Sequence, residues 1–182
     1  MKYFVTIFVL VSVMCINTAQ SQNPMRIGGE LGLQLPVGDF GDAANMGFGI
    51  SGIFQYYLQP QLILGGTIGY QSWGSDFEGF SYSNIPIMAL LNYQFNTEGM
   101  IPFVGAELGL NSFGASAEYE YLGVTRSTSS SEMYFGISIL GGVESKLNEN
   151  LSWRVNAKYN IIMGDDNISF LGINAGVMYH LK

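Results

Sequence analysis

The chain has 182 residues, of which 12% are charged and 48% are hydrophobic, and its formal net charge is −7. Typical soluble domains contain about 25% charged residues, so this chain has too little charge to cover its apolar content as a soluble domain would. Its acidic balance also excludes nucleic acid as a partner, because acidic surfaces repel phosphates. The length is that of one domain.

Residues 1–21 have the features of a cleaved export signal. Lys2 supplies a positive start, and residues 3–16 form an apolar core. That core is shorter than the roughly 18 apolar residues that a membrane-spanning helix needs. The small residues that follow place the cleavage site before Gln22. We therefore expect a signal peptide that is removed on export.

The mature domain, residues 22–182, contains no cysteine and so can form no disulfide. The only cysteine, Cys15, lies inside the signal. Acylation of Cys15 in a lipoprotein is the alternative, but lipoprotein signals place a small residue before the cysteine and Met14 is bulky. The sequence favours simple cleavage.

Eight segments of the mature domain alternate between apolar residues and polar residues or glycine, as half-buried strands do. In the clearest segment, 151–161, apolar residues occupy the odd positions, and the even positions include Arg154 and Lys158. The eight segments cover residues 26–37, 48–58, 62–70, 82–95, 102–113, 133–146, 151–161 and a last stretch that ends at Lys182. The pattern predicts eight strands.

These strands predict an all-β fold, an eight-stranded antiparallel up-and-down transmembrane β-barrel. Every second residue of such a barrel faces lipid, which explains a high apolar content with few charges. The 24 glycines suit the crowded interior of a narrow barrel. A soluble sandwich would carry charged residues on its outer faces, and a soluble barrel would place its apolar residues inside. The sequence fits neither alternative.

The connections between the predicted strands alternate in length. Three short turns are expected at residues 59–61, 96–99 and 148–150, and four loops at residues 38–47, 74–81, 114–131 and 164–167. Short periplasmic turns and longer external loops are typical of bacterial outer-membrane barrels. We therefore expect the protein in the bacterial outer membrane, with both termini in the periplasm.

The terminal strand carries a recognisable pattern. Asn174, Gly176, Tyr179 and Leu181 follow a spacing that resembles the insertion signal of outer-membrane barrels. The segments 35–40, 84–87 and 102–106 resemble elements of the outer-membrane β-barrel domain family, which includes the transmembrane domain of outer-membrane protein A and PorT-like proteins. The resemblance implies fold and location, contact with outer-membrane lipid and lipopolysaccharide, and assembly by the barrel-insertion machinery.

Five charged residues have the parity of the interior face. They are Glu30, Glu107, Glu144, Arg154 and Lys158, and we predict that they form a structural ion-pair network in the lumen. A hairpin turning through residues 148–150 places Glu144 directly opposite Arg154, so we expect these two to be the clearest pair. A gate that opens when the pairs exchange is the alternative interpretation. An eight-stranded interior is filled by its own side chains, so we predict no pore of porin width.

Enzymes that modify lipid A also use eight-stranded barrels, and a deacylase would need an activated serine beside a histidine. The only histidine, His180, lies at the periplasmic rim in this prediction, whereas lipid A lies at the other rim. A palmitoyl-transferring barrel would need an apolar cavity, which an interior of glycine and polar residues does not indicate. We predict no catalytic residue and no cofactor.

The predicted external loops are acidic, with Arg126 as their only basic residue. Their acidic residues are Asp39, Asp42, Asp76, Glu78, Glu118, Glu120, Glu132, Asp165 and Asp166. The run of Asp165, Asp166 and Asn167 offers the oxygen donors that Ca²⁺ prefers. Its spacing is not that of an EF-hand, and a solvated acidic rim without a bound metal is the favoured interpretation.

Aromatic residues near the strand ends predict girdles at the two membrane interfaces. The inner set is Tyr56, Tyr93, Phe95, Trp153 and Tyr179, and the outer set is Tyr70, Trp73, Tyr82, Phe113, Phe135 and Tyr159. A carbohydrate-binding aromatic patch is the less favoured alternative for these rings.

The sequence thus predicts a non-enzymatic outer-membrane barrel with a structural, envelope-integrity or surface-interaction role. An accessory component of an outer-membrane secretion or assembly machine is the second hypothesis, and a lipid A-modifying enzyme is the third. We expect a monomer whose external loops offer the surface for any protein partner.

Overall fold

The computed structural model describes residues 25–75, 80–121, 124–164 and 167–181. The expected signal peptide and its cleavage site lie outside these residues. The strands are β1 (Met25–Val37), β2 (Gly47–Tyr57), β3 (Leu62–Gly74), β4 (Phe80–Gln94), β5 (Met100–Tyr121), β6 (Val124–Lys146), β7 (Leu151–Met163) and β8 (Ile168–His180). One short helix, α1 (Asp39–Ala43), follows β1.

The strands form a closed barrel in which each pairs with the next along the chain and β8 pairs with β1. All pairs are antiparallel. Since the shortest strand has 11 residues, every strand reaches the 9–11 residues that a membrane-spanning strand needs. The predicted eight-stranded antiparallel barrel is confirmed. Among the described residues, no helix is long and apolar enough to cross a membrane.

Two names distinguish the ends of the barrel. The terminal rim holds the start of β1, the end of β8 and the three short turns; the loop rim is the opposite end. Outside, the wall presents large apolar side chains such as Leu31, Phe48 and Ile139, each more than half exposed. This outer surface is the apolar band that alternation predicted.

Glycine lets neighbouring strands pack closely along the inner wall. A Cβ atom added to Gly32 would lie 2.2 Å from the carbonyl oxygen of Ile173, and one added to Gly142 would lie 2.2 Å from that of Val155. Backbone atoms of a sheet cannot yield enough to relieve such contacts. These positions require glycine because of space, as the predicted narrow interior implies.

The prediction of a loop at 114–131 is wrong. Strands β5 and β6 run on to a last pair between Tyr121 and Val124, whereas the β6–β7 ladder ends at Phe135 and Met163. Serine and threonine in this stretch indicated a loop, but the neighbouring strand satisfies the backbone groups and overrides that local preference. The result is a β-ribbon, defined as residues 114–121 with 124–134, in which residues 114–117 still pair with β4 and only the end beyond Ala117 extends past the neighbouring strands.

Candidate functional site

The barrel interior contains the chemistry that the sequence singled out. Glu30, Glu107, Glu144, Arg154 and Lys158 all lie inside, each at most 8% exposed. A sixth charged residue, Arg26, is 1% exposed and belongs with them. Sequence analysis missed Arg26, although it has the same parity on β1 as Glu30 and could have been found by that signal.

The first ion pair lies near the terminal rim. Arg26 Nη1 donates to Glu144 Oε1, and Arg26 Nε donates to Gln55 Oε1 at 2.7 Å. The Arg26 guanidinium also lies 5.1 Å from the centre of the Tyr57 ring, within cation–π range. Glu144 does lie opposite Arg154 in the β6–β7 register, as predicted, yet its ion pair is with Arg26.

A second group surrounds Glu30 deeper in the barrel. Its carboxylate lies 3.7 Å from Arg154 Nε and 3.6 Å from Lys158 Nζ, and it accepts a hydrogen bond of 2.9 Å from Asn156 Nδ2. Lys158 Nζ also donates to Glu107 at 2.9 Å. Lys158 therefore lies between two carboxylates, while Arg154 packs 4.6 Å from the centre of the Phe103 ring.

The charges of this interior balance. Three carboxylates and three basic groups are buried among the described residues, and each lies in at least one ion pair. Burying an unpaired charge is expensive, whereas a paired and hydrogen-bonded one is tolerated. Chemically, the arrangement can hold non-neighbouring strands of the barrel together.

The loop rim is closed by an aromatic cluster that the sequence did not predict. Phe40 on α1 points into the barrel and makes edge-on contacts with Trp73, Tyr82 and Phe113, at centroid distances of 5.4, 5.6 and 5.7 Å. Trp73 in turn contacts Phe170 at 4.9 Å. The expected loop at 38–47 thus contains a helix whose one buried side chain, Phe40, plugs the mouth.

This cluster corrects the predicted outer girdle. Trp73 is 1% exposed, and Tyr82 and Phe113 pack against the same interior cluster. All three have inward parity on their strands, so their side chains enter the interior although the residues lie near a rim. Seven other girdle candidates are exposed on the wall as expected, namely Tyr56, Tyr70, Tyr93, Phe95, Phe135, Tyr159 and Tyr179. Trp153 is only partly exposed.

The interior is less polar than predicted. A second apolar cluster, of Ile53, Leu90, Phe103, Leu140 and Met178, lies inside the barrel. These residues share the inward parity of the polar ones, so alternation alone could have placed them. Side chains fill this part of the interior, with Met178 completely buried.

His180 lies at the terminal rim and is largely buried. It is 9% exposed, and its Nε2 atom lies 2.9 Å from Ser152 Oγ, with which it shares a hydrogen bond. Ser152 is completely buried, which keeps its hydroxyl away from an acyl substrate in this conformation. The contact ties β7 to β8 at the terminal rim.

The residues of the terminal pattern occupy both faces of β8. Asn174 points inward and accepts a hydrogen bond of 3.1 Å from Gln34 Nε2, whereas Tyr179 is exposed on the outer wall. Gly176 packs against Glu30, and the Leu181 amide donates to the carbonyl of Met25 at 3.0 Å. The C-terminal segment is thus joined to the first strand.

The acidic loop residues that the structure describes lie on the loop-rim side of the barrel. Asp39 and Asp42 lie in the first turn of α1, and Glu132 lies in the ribbon. Glu118, Glu120 and Arg126 belong to the ribbon strands. The remaining acidic residues, Asp76, Glu78, Asp165 and Asp166, lie outside the described residues.

Two comparisons of sequence identify relatives. The family model for the outer membrane protein beta-barrel domain matches residues 6–180. An uncharacterized protein of Haemophilus influenzae is 29% identical over 87 residues, which cover 48% of this chain and 47% of that protein. The matched region is therefore about half the length of that relative.

Solved structures share the fold. Neisserial surface protein A has a TM-score of 0.63 at 20% identity, with 86% of this chain and 97% of that chain covered. Ail, the attachment invasion locus protein of Yersinia pestis, has a TM-score of 0.56 at 13% identity, with 86% and 99% covered. With a family match over most of its length and a closed eight-stranded barrel, the chain belongs to the outer-membrane β-barrel protein family.

Proposed function

We propose that this protein is a non-enzymatic outer-membrane barrel that presents the β5–β6 ribbon to a partner at the cell surface. The ribbon carries the proposal because, among the described residues, its end extends past the last pairs of both neighbouring strands. Beyond the last β4–β5 pair at Ala117, residues 118–121 pair only with residues 124–127, an extension of about 14 Å at the rise of an antiparallel strand. In this proposal both termini are periplasmic, so the ribbon points outward.

The interior supports a framework role for the barrel itself. Its ion pairs, its apolar cluster and the Phe40 plug fill the space that a pore would need. We assign the network of Glu30, Glu107, Glu144, Arg154 and Lys158 to structural neutralisation. The buried position of Ser152 likewise favours a non-enzymatic role over lipid modification.

The charge of the loop-rim side favours a cationic partner. The sequence places nine acidic residues and one basic residue in its loops and ribbon. Ail has been crystallised with the heparin analogue sucrose octasulfate, which is an anion. An acidic surface repels such a ligand and attracts a basic peptide or protein segment, so the partner proposed here has the opposite charge.

A ribbon deletion tests this function. Residues 118–127 are replaced by Asn-Gly, which suits a two-residue hairpin turn because Ala117 pairs with Thr128, and the β4–β5 ladder, which ends at Ala117, is kept. Purified proteins in phosphatidylcholine nanodiscs are titrated with a fluorescent oligolysine peptide and with a heparin fragment. We expect salt-sensitive binding of oligolysine to the wild type, weaker binding to the deletion, and no heparin binding.

A matched control removes acids from the other rim. Glu98→Gln with Glu149→Gln changes two exposed carboxylates in the terminal-rim turns and should leave oligolysine binding unchanged. Equal binding to the wild type and the ribbon deletion would refute the ribbon as the interaction surface. An epitope at the ribbon tip should bind antibody on intact cells; detection only after permeabilisation would reverse the proposed orientation.

A further inference from the structure

The outer wall has a hollow that the barrel itself does not explain. This wall groove has a volume of about 560 Å³ and crosses strands β8, β1, β2 and β3. Its floor is the cross-strand pair of Gly29 and Gly52. Its outward-facing lining residues are Gly29, Leu31, Ile50, Gly52, Ile68, Tyr70, Ala175 and Val177.

The floor glycines differ from those of the inner wall. A Cβ atom on Gly28 would lie 2.3 Å from the Val177 carbonyl oxygen, so glycine is required there. On the adjacent Gly29 the nearest atom would be the Ser51 carbonyl oxygen at 3.5 Å, and on Gly52 nothing would lie closer than 3.9 Å. Larger residues fit at both floor positions without disturbing the barrel.

Glycine at these two positions therefore lowers the stability of the strands, and packing within the barrel does not require it. A glycine inside a strand is less favourable than alanine and makes less apolar contact with lipid. Strand glycines often mark sites where a ligand approaches the backbone closely. Among the described residues, the one side-chain atom within 4 Å of either added Cβ atom is Ile68 Cγ2, 3.9 Å from that of Gly52.

We propose that the wall groove holds one acyl chain of a membrane lipid. Leu31, Ile50 and Ile68 are exposed by 67, 61 and 58%. They border the floor, Leu31 and Ile50 on its loop-rim side and Ile68 on β3. A flexible hydrocarbon chain can lie between these side chains. The convex wall of a second barrel would touch only the edges of the groove and leave its floor empty. A stable protein interface also uses roughly 20–30 residues per side, against eight outward residues here.

Tyr70 sets the direction of the bound chain. It lies at the end of the groove nearer the loop rim and is 43% exposed. Its hydroxyl is the only polar side-chain group among the eight outward residues of the groove, and it can hydrogen-bond to an ester or phosphate at the lipid headgroup. The acyl chain then runs from Tyr70 across Gly52 and Gly29 toward the terminal rim. This site does not depend on the ribbon's proposed role.

Native mass spectrometry of the detergent-solubilised protein with purified lipid A tests the site, because lipid A carries acyl esters and phosphates and lies at the loop rim in the proposed orientation. The wild type should retain one lipid at collision energies that strip bulk lipid. Gly29→Val with Gly52→Val fills the groove with a good strand former and should lower the retained fraction at least about tenfold. The control, Gly141→Val, changes another outward glycine with free space, its nearest atom being 3.7 Å away, and should retain lipid like the wild type.

Folding of each variant is checked by its change in gel mobility on boiling. If the double variant does not fold, the single variant Gly52→Val decides the question by the same measurement. Equal lipid retention by the wild type and the filled variant would overturn the proposal. So would a dimer of the wild type that the filled variant loses, because a second copy would then occupy the groove.

Discussion

Arg26 and Glu144, which are 118 residues apart in the sequence, form an ion pair inside the barrel. Their strands, β1 and β6, are not neighbours in the closed sheet. The same holds for the pairs of Arg154 and Lys158 with Glu30 and for the pair of Lys158 with Glu107. All four ion pairs among the described residues therefore connect strands that no backbone ladder joins, which lie two or three positions apart in the closed sheet.

The first prediction concerns the coupling of Arg26 to Glu144. Arg26→Met leaves a buried carboxylate without its partner and should destabilise the barrel by about 3–5 kcal/mol. A double-mutant cycle with Glu144→Gln, read by urea unfolding in detergent micelles, should give a coupling energy of about 0.5–3 kcal/mol. The double mutant should be more stable than the sum of the single effects implies.

The register partner of Glu144 provides the comparison. A cycle of Glu144→Gln with Arg154→Met should give a smaller coupling, since Arg154 Nε lies against Glu30 at 3.7 Å. A larger coupling to Arg154 than to Arg26 would show that cross-strand register, rather than contact across the lumen, decides the pairing.

The strands and their faces could be predicted from the sequence because alternation is a local pattern. The partners of the interior charges could not. The hairpin placed Glu144 opposite Arg154 correctly, but in a narrow barrel a long side chain reaches across the lumen as easily as it reaches along the wall. Which residues meet across the lumen depends on the closure of the whole sheet, which no local pattern of Arg26 or Glu144 contains.

The ribbon and the Phe40 plug were missed for related reasons. Residues 114–131 have the composition of a loop, and only pairing between β5 and β6 makes them strands. Phe40 lies two residues after Gly38, whose φ is 64°. The turn at Gly38 directs the chain back over the open end of the barrel. The aromatic partners of Phe40 come from three strands, β3, β4 and β5, and Phe170 of β8 joins the cluster through Trp73, which requires the closed barrel.

The second prediction concerns this plug. Phe40→Ala should lower stability by about 3–5 kcal/mol, as large-to-small changes in a core do, because Phe40 is 7% exposed. It should also increase acrylamide quenching of Trp73 in a Trp153→Phe background, which leaves Trp73 as the only tryptophan. Phe48→Ala, at a residue 62% exposed on the outer wall, is the control and should leave quenching unchanged. Unchanged quenching in Phe40→Ala would mean that Phe40 does not shield Trp73.

The third prediction contrasts two adjacent glycines of β1. Gly28→Ala places a Cβ atom 2.3 Å from the Val177 carbonyl oxygen and from the sulfur of the fully buried Met178. It should reduce the yield of folded barrel and destabilise what folds by about 1–3 kcal/mol or more. Gly29→Ala brings its Cβ atom to an ordinary contact of 3.5 Å with the Ser51 carbonyl oxygen and should fold as the wild type does. Equal yields in refolding into micelles would contradict the inner-wall contact.

The fourth prediction is the absence of a wide pore. Side chains of the charged network and of the second apolar cluster lie side by side in the lumen, with Leu90 opposite Glu107 and Leu140 opposite Lys158, and the Phe40 plug lies at the loop rim. Planar bilayers with the purified protein should show no steady conductance of porin size. A large and steady conductance would mean that these side chains leave the lumen open.

The fifth prediction asks whether Tyr179 and Leu181 in the C-terminal segment act as a signal for assembly in cells or only stabilise the folded barrel. Tyr179 is exposed on the outer wall, so its side chain adds little to the interior packing, while the backbone of Leu181 bonds to Met25. Tyr179→Ser with Leu181→Ser should therefore reduce assembly in cells strongly and refolding in detergent only slightly. The control is Ile173→Ser with Ala175→Ser, two other outward positions of β8, which should assemble better in cells than the test variant. Comparable assembly of both variants would show that Tyr179 and Leu181 carry no special signal, and an equal loss in detergent would assign their effect to stability.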